Sequence, residues 1–315
     1  MIKNTYFIKR VVCPACENRE FKSIYSRPYD DSVIKDYVKE FYGSQGGVEF
    51  KYVNDAEYVL KECTTCNLIF QEYIPNDFLM NKLYEEWIDP KIALSGQKEH
   101  NLNYYRKLAM EVDNIIAYFH VKPDDLSFLN FGMGWGEWNL MIKAYGSKSA
   151  GMELSQERIK HGRENAIKII QWDEVPSNQF DFINTEQVFE HIPNPLETLK
   201  YLTLALKTNG LIKISVPNGN VAKRNLKIMD WKAGKESRNS LNIVAPLEHI
   251  NCFRTKTIYY MANLCGLQQE TVPFRNLPVR DLIKSKLKPY YYQLLRGGKE
   301  GTYLFFKKRA NHHRD

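Results

Sequence analysis

Residues 128–154 read FLNFGMGWGEWNLMIKAYGSKSAGMEL: a buried-strand run, a turn with glycines at 132, 134 and 136, an amphipathic helix, and a second short strand ending on Glu153. A strand–turn–helix–strand unit of this kind sets backbone N–H groups at the mouth of a parallel sheet, and glycine is needed where a side chain would block a ligand's approach. An acid about 20 residues after the first glycine, at the tip of the second strand, is placed to accept both ribose hydroxyls of a nucleoside. The unit therefore implies a nucleoside-containing cofactor. A dinucleotide is disfavoured: the spacing is G-x-G-x-G, and Glu137 stands where a pyrophosphate would need a neutral helix start.

At this point the chain resembles the class I S-adenosylmethionine-dependent methyltransferases, whose first motif is an acid followed by x-G-x-G-x-G. A cationic sulfonium with a zwitterionic tail tolerates nearby acids. The leading acid is Asn130 here, and the resemblance assigns that position to the cofactor's amino group. QFDFINTEQVFEHIPNPLETL is similar to the family's fourth motif, LALKTNGLIKISVPNG to its fifth strand with an Asn209-Gly210 turn, and PLEHINCFRTKTIYYMANLCGLQ to the helix before strand six. The resemblance implies a Rossmann-like α/β fold with a seven-stranded, mostly parallel sheet and GTYLFFKK as a final antiparallel strand. It also implies roles. Gly132, Met133, Gly134 and Gly136 line the methionine half, Glu153 holds the ribose, and Leu154 caps the adenine. Gln171 or Trp172, ending a third strand (AIKIIQW), lies at the adenine edge, Glu186 lies near the reacting sulfur, and Tyr104 or Tyr105 reaches the methionine tail.

Upstream, Cys13-x-x-Cys16 and Cys63-x-x-Cys66 form two matching pairs. Each C-x2-C turns two thiolates onto one metal, and two pairs make a closed tetrahedral zinc site suited to a structural role. The segment between them reads as a helix (DDSVIKDYVKEFYGSQGG) followed by strand-like FKYV and YVLKEC. Cys252 and Cys265 read as plain buried residues. The expected organisation is a zinc-binding module over 1–75, a helical connector over 76–125, and a methyltransferase domain over 126–315, with a substrate lid at 217–250 and a basic part at 273–315. NDFLMNKLYEEWI and LNYYRKLAMEVDNIIAYF carry apolar residues at helical spacing. A zinc module before such a core resembles a bacterial group that acts in sugar and polysaccharide biosynthesis.

The net charge is +7, and 11 Lys and Arg against 3 Asp and Glu lie from Arg275 onward, so the excess is C-terminal. That placement argues against a nucleic-acid surface and leaves peripheral membrane contact through the C-terminus open. No 18-residue apolar run predicts a membrane span, and MIKNTYFIKRVVCPAC lacks a signal core, so a cytoplasmic enzyme with reduced cysteines is expected.

Methyl transfer from a sulfonium is an in-line displacement, so the protein aligns the acceptor and, for a hydroxyl or carbon acid, supplies a base. His249 in PLEHINCF and His191 in FEHIP are the candidates, with Glu248 and Glu190 as orienting partners. The expected acceptor is a small molecule or carbohydrate, such as a nucleotide-sugar or a glycan of surface polysaccharide. An RNA methyltransferase reading RNA through its zinc module, and a non-catalytic binding protein on a degenerate core, are the alternatives. No spacing encodes the oligomeric state.

Overall fold

The computed structural model describes residues 4–89, 92, 94, 95, 100–235, 237–272 and 302–309. The basic run DLIKSKLKPYYYQLL lies outside them. Two compact units are each assembled from three stretches of chain: unit 1 from Met1–Gln97, Phe189–Leu196 and Pro217–Met261, and unit 2 from Lys98–Val188, Glu197–Val216 and Ala262–Asp315. Among the described residues no helix is long and apolar enough to cross a membrane.

Unit 2 is built on a seven-stranded sheet. Its strands are β1 (Ser127–Phe131), β2 (Lys148–Met152), β3 (Lys168–Ile169), β4 (Phe180–Glu186), β5 (Leu206–Val216), β6 (Leu267–Glu270) and β7 (Thr302–Lys308), in the order β6-β7-β5-β4-β1-β2-β3. β1 to β5 pair in parallel, while β7 runs antiparallel between β5 and β6. This is the expected α/β sheet with its final antiparallel strand. Alternation along the strands puts Phe128, Phe182 and Leu211 on one face, where Val112 and Ile115 of helix α1 (Leu102–Phe119) and Trp138 and Ile142 of helix α2 (Glu137–Ala144) bury them. Each such aromatic or aliphatic side chain contributes about 1.5–3 kcal/mol on full burial.

Two expectations are corrected in unit 2. Of AIKIIQW only Lys168–Ile169 is strand, because β3 is an edge that pairs with β2 alone and the chain leaves through a capping box between Gln171 and Glu174. Asn209-Gly210 is not a free turn: it lies inside β5, where the register to β4 shifts between Leu206 and Leu211. A Cβ on Gly210 would stand 3.0 Å from the Asp181 carbonyl, so the bulge needs glycine.

Unit 1 centres on a four-stranded antiparallel sheet in the order Asn251–Cys252, Ile69–Gln71, Glu57–Cys63, Phe21–Pro28, with a separate pair Phe7–Lys9 and Tyr73–Pro75. A helix Ser32–Gly43 starts where Asp31 accepts from the Val33 N–H, and it buries Ile34, Val38 and Tyr42 at four-residue spacing. FKYV is not a strand. Phe50–Tyr52 form a 3₁₀ turn because Tyr52 packs its ring against Tyr6, Phe78 and Trp87 instead of joining a ladder. The connection 217–246 is folded: it holds helix Ala222–Ile228 and sends Leu226, Trp231, Leu241 and Val244 into the core with Tyr25, Tyr29 and Tyr58.

Candidate active site and metal centre

The glycine turn follows β1. Gly132, Gly134 and Gly136 have φ of 69°, 56° and 81°, the left-handed region that side chains resist. A Cβ on Gly132 would lie 2.5 Å from Val188 and one on Gly136 2.4 Å from Ile167, so these two are fixed by packing. Gly134 differs: a Cβ there meets nothing within 4 Å, so the space beside it is open to a ligand. Met133 fills the opposite role, its thioether packed against Gly151 and Gly162 beneath the turn.

Glu153 ties the turn to β2. One carboxylate oxygen accepts from the Gly134 N–H at 2.9 Å, and the other accepts from Leu154 and Ser155 at 2.8 and 3.2 Å. Three backbone donors hold the carboxylate at the strand tip where a ribose would be read. Leu154 beside it is 85% exposed, and Trp172 lies flat on Tyr201 at 4.2 Å. These are two apolar surfaces of the kind an adenine requires. Gln171 accepts and donates locally in its capping box.

Asn130 is buried and fully engaged: its NH2 donates to Asn139 and its carbonyl accepts from Asn184, both at 2.8 Å. Asn139 continues to Ser149 and the Ala150 carbonyl. The amide that stands where the motif has an acid therefore works as a link between β1, β4 and α2. Glu186, ending β4, is held by Lys213 at 2.6 Å and by the Ser215 hydroxyl at 2.9 Å. Lys213 also reaches Glu111 at 2.6 Å, and although burial disfavours its charge, Glu111 and Glu186 keep its pKa above the usual lysine value. Tyr104 and Tyr105 both donate to Glu137, at 2.8 and 3.3 Å, and His100 stacks on Tyr104 within 3.2 Å of the same carboxylate. Lys213 and Glu137 were not legible as site residues. Lys213 hides in the apolar pattern LIKISV, and Glu137 was read only as an obstacle to pyrophosphate.

In unit 1, Cys13 Sγ and Cys66 Sγ are 3.5 Å apart, as are those of Cys16 and Cys63. Tetrahedral thiolates on zinc at about 2.3 Å would be spaced by about 3.8 Å, so the cluster fits that ion. The two knuckles share one backbone form: Glu17 and Asn67, each directly after a second cysteine, have φ of 61° and 63° and donate to the Cys13 and Cys63 carbonyls. The Cys66 thiol pulls Cys13 down to about 6, while burial pushes Cys16 up to about 12. Four sulfurs this close together are a donor set that a divalent ion such as zinc would complete by holding them as thiolates.

His191 and His249 also lie together in unit 1, ring centroids 5.0 Å apart. His191 Nδ1 bonds the Glu248 carbonyl at 3.0 Å, and His249 Nδ1 bonds the Asn242 carbonyl. Carbonyls only accept, so each Nδ1 carries the proton and each Nε2 keeps its lone pair. Glu248 meets His191 through its backbone carbonyl, and the Glu190 carboxylate stands 3.7 Å from His191 Nε2. Burial, then the neighbouring His249, lowers His191 to about 4, and burial lowers His249 as well. Arg10, Gln71 and Asn251 hold these loops. Arg10 donates to the Gln71 and Ile250 carbonyls and to Asn251, Gln71 to Ala245 and His249, and Asn251 to Phe189 and Ile192. Sequence reading missed all three, which sit as single polar residues in apolar runs.

A seven-stranded sheet in this order, with a glycine turn after β1 and a carboxylate at the tip of β2, is the fold and site of an S-adenosylmethionine-dependent methyltransferase. Residues 99–272, more than half of the chain, match the family described as Methyltransferase domain, and the chain belongs to that family. Its fold is similar to that of the plantazolicin methyltransferase BpumL in complex with SAH, at 17% identity, 73% of this chain and 94% of that chain covered, and a TM-score of 0.48. PKMT2 from Rickettsia typhi is similar at 15% identity, with 64% and 52% covered and a TM-score of 0.41. A SAM dependent methyltransferase from Archaeoglobus fulgidus is similar at 15%, with 73% and 97% covered and a TM-score of 0.38. No curated protein matches the chain.

Proposed function

We propose that the protein transfers a methyl group to a small-molecule or carbohydrate acceptor, a nucleotide-sugar or a glycan unit of surface polysaccharide, and that His249 or His191 takes the acceptor's proton. The observation that carries this reading is the pair of neutral imidazoles, each locked by a backbone carbonyl with its Nε2 lone pair unprotonated and able to accept. A base of that kind serves a hydroxyl or carbon acid, which must lose a proton as the new bond forms. When bound, S-adenosylmethionine supplies the activated methyl. The residues of unit 2 fit it: Gly134 leaves room for its methionine half, Glu153 takes the ribose, Leu154 and Trp172 flank the adenine, and Glu186 and Glu137 add negative charge suited to a cationic ligand. The four cysteines hold zinc in a structural role in this reading, and the N-terminal module serves acceptor binding, with 217–250 covering the acceptor.

Incubation with methyl-labelled S-adenosylmethionine and a lysate of the source cells, followed by fractionation, tests the acceptor class. Label in the nucleotide-sugar or glycan pool is expected. Label confined to RNA would overturn the carbohydrate reading. Within that assay His249→Ala is expected to lower kcat at least 100-fold with cofactor affinity unchanged, since general-base catalysis contributes roughly 10²–10⁴-fold.

A further inference from the structure

The geometry of unit 1 points to a second metal centre: we propose that Glu190, His191 and His249 bind a first-row divalent cation such as Zn²⁺, Co²⁺ or Ni²⁺, separately from the four cysteines. One ligand atom from each of the three lies within 4.8 Å of the others. Ligands about 2.1 Å from a common ion stand roughly 3.0–4.2 Å apart, so the cluster needs only a small contraction to close on a cation. His191 Nε2 and the Glu190 carboxylate, at 3.7 Å, are already inside that range.

Three further features favour an ion. Metal-ligating histidines characteristically donate their other ring N–H to a carbonyl, which fixes the tautomer and aims the lone pair at the metal. Both imidazoles here do so, to Glu248 and Asn242. The loops that carry the donors are themselves pinned: Asn251 holds the carbonyls of Phe189 and Ile192 on either side of Glu190 and His191, and Gln71 holds those of Ala245 and His249. Such a shell is what keeps ligands in place before the ion arrives. Finally, the Glu190 side chain is buried while the His191 side chain is 21% exposed, so an ion has a route in. Two imidazoles and one carboxylate suit borderline ions and not Mg²⁺ or Ca²⁺, and three protein donors leave a coordination position open.

The consequence for turnover rests on the proposed function: a proton and a cation compete for the same Nε2 lone pairs, so added cation should inhibit transfer. Binding itself is independent of it. The zinc-loaded protein, stripped of loosely held metal by dialysis, would be titrated with Co²⁺ alone and followed by visible absorption and by proton NMR. One further equivalent is expected, with weak bands lacking sulfur charge transfer and two hyperfine-shifted exchangeable signals from the Nδ1–H groups. His249→Ala and Glu190→Gln should each weaken this equivalent at least tenfold while the cysteine-bound zinc is retained, which reports that unit 1 stays folded. No additional equivalent in the wild type, or one without the two shifted N–H signals, would overturn the assignment. Neither readout uses an acceptor or S-adenosylmethionine, so failure here leaves the methyl-transfer reading standing, and the reverse holds too.

Discussion

Gly134 and Gly132 share a left-handed backbone but have opposite surroundings, and substitution separates their roles. A left-handed residue with a Cβ costs about 1–2 kcal/mol at either position. Gly132→Ala adds a 2.5 Å approach to Val188, a stiff β-branched side chain that has little freedom to yield, so its melting temperature should fall further than that of Gly134→Ala. Gly134→Ala should keep the fold and lose cofactor affinity, because its methyl enters the open space over the turn. Paired thermal melts and cofactor titrations check both outcomes. His191 gives a second expectation. Burial and the neighbouring His249 hold its pKa near 4 against 6.5 in the unfolded chain. Its contribution to stability is therefore complete above pH 6.5 and is lost as pH falls toward 4, where the folded protein must also take up the proton. In the metal-free protein the ring signals of His191 should titrate with a midpoint near 4 by NMR; a midpoint near 6.5 would show that desolvation and the neighbouring His249 do not act on the ring as described.

Among the elements, β5 carries an unusual burden in Lys213, a fully buried lysine shared by Glu111 of α1 and Glu186 of β4. Removing one partner of a buried charge set costs about 3–5 kcal/mol. Lys213→Met leaves Glu111 largely buried without its cation and should destabilise the fold in urea denaturation, though by less than about 3 kcal/mol because Glu186 is 46% exposed and screened by water, and the accompanying Glu111→Gln should recover part of the loss. This network also marks where sequence reading stopped. The run 102–119 declared its helix through apolar spacing alone, and the glycine turn declared its strand and helix through residue type. FKYV and AIKIIQW misled because a few β-prone residues do not decide pairing; the available neighbours do. Lys213, Arg10, Gln71 and Asn251 could not be recognised locally, since each is tied to partners 59 to 241 residues away or, for Lys213, 102 and 27 residues away.

The chain as a unit of organisation alternates between its two compact parts, with 189–196 and 217–261 returning to the part that begins at the N-terminus. Motif order showed the methyltransferase sheet, but nothing in the order of motifs announced that the histidine loops share a core with the cysteine knuckles' unit. Metal removal exposes that arrangement. On the proposed binding of zinc by the four cysteines, a strong chelator with a mild thiol reagent should raise amide exchange throughout unit 1, in Glu57–Cys63 and Ile69–Gln71 first, while β1, β4 and β5 keep their protection. The cofactor site offers the sharpest test. Calorimetric titration of S-adenosylmethionine into the wild type and into Glu153→Ala should give one site in the wild type and an affinity about 10- to 100-fold weaker in the variant, the loss of charge-assisted hydrogen bonds worth about 1.5–3 kcal/mol. No binding to the wild type, or equal binding to both, would contradict the assignment of this glycine turn and its carboxylate as the place where the methyl donor is held.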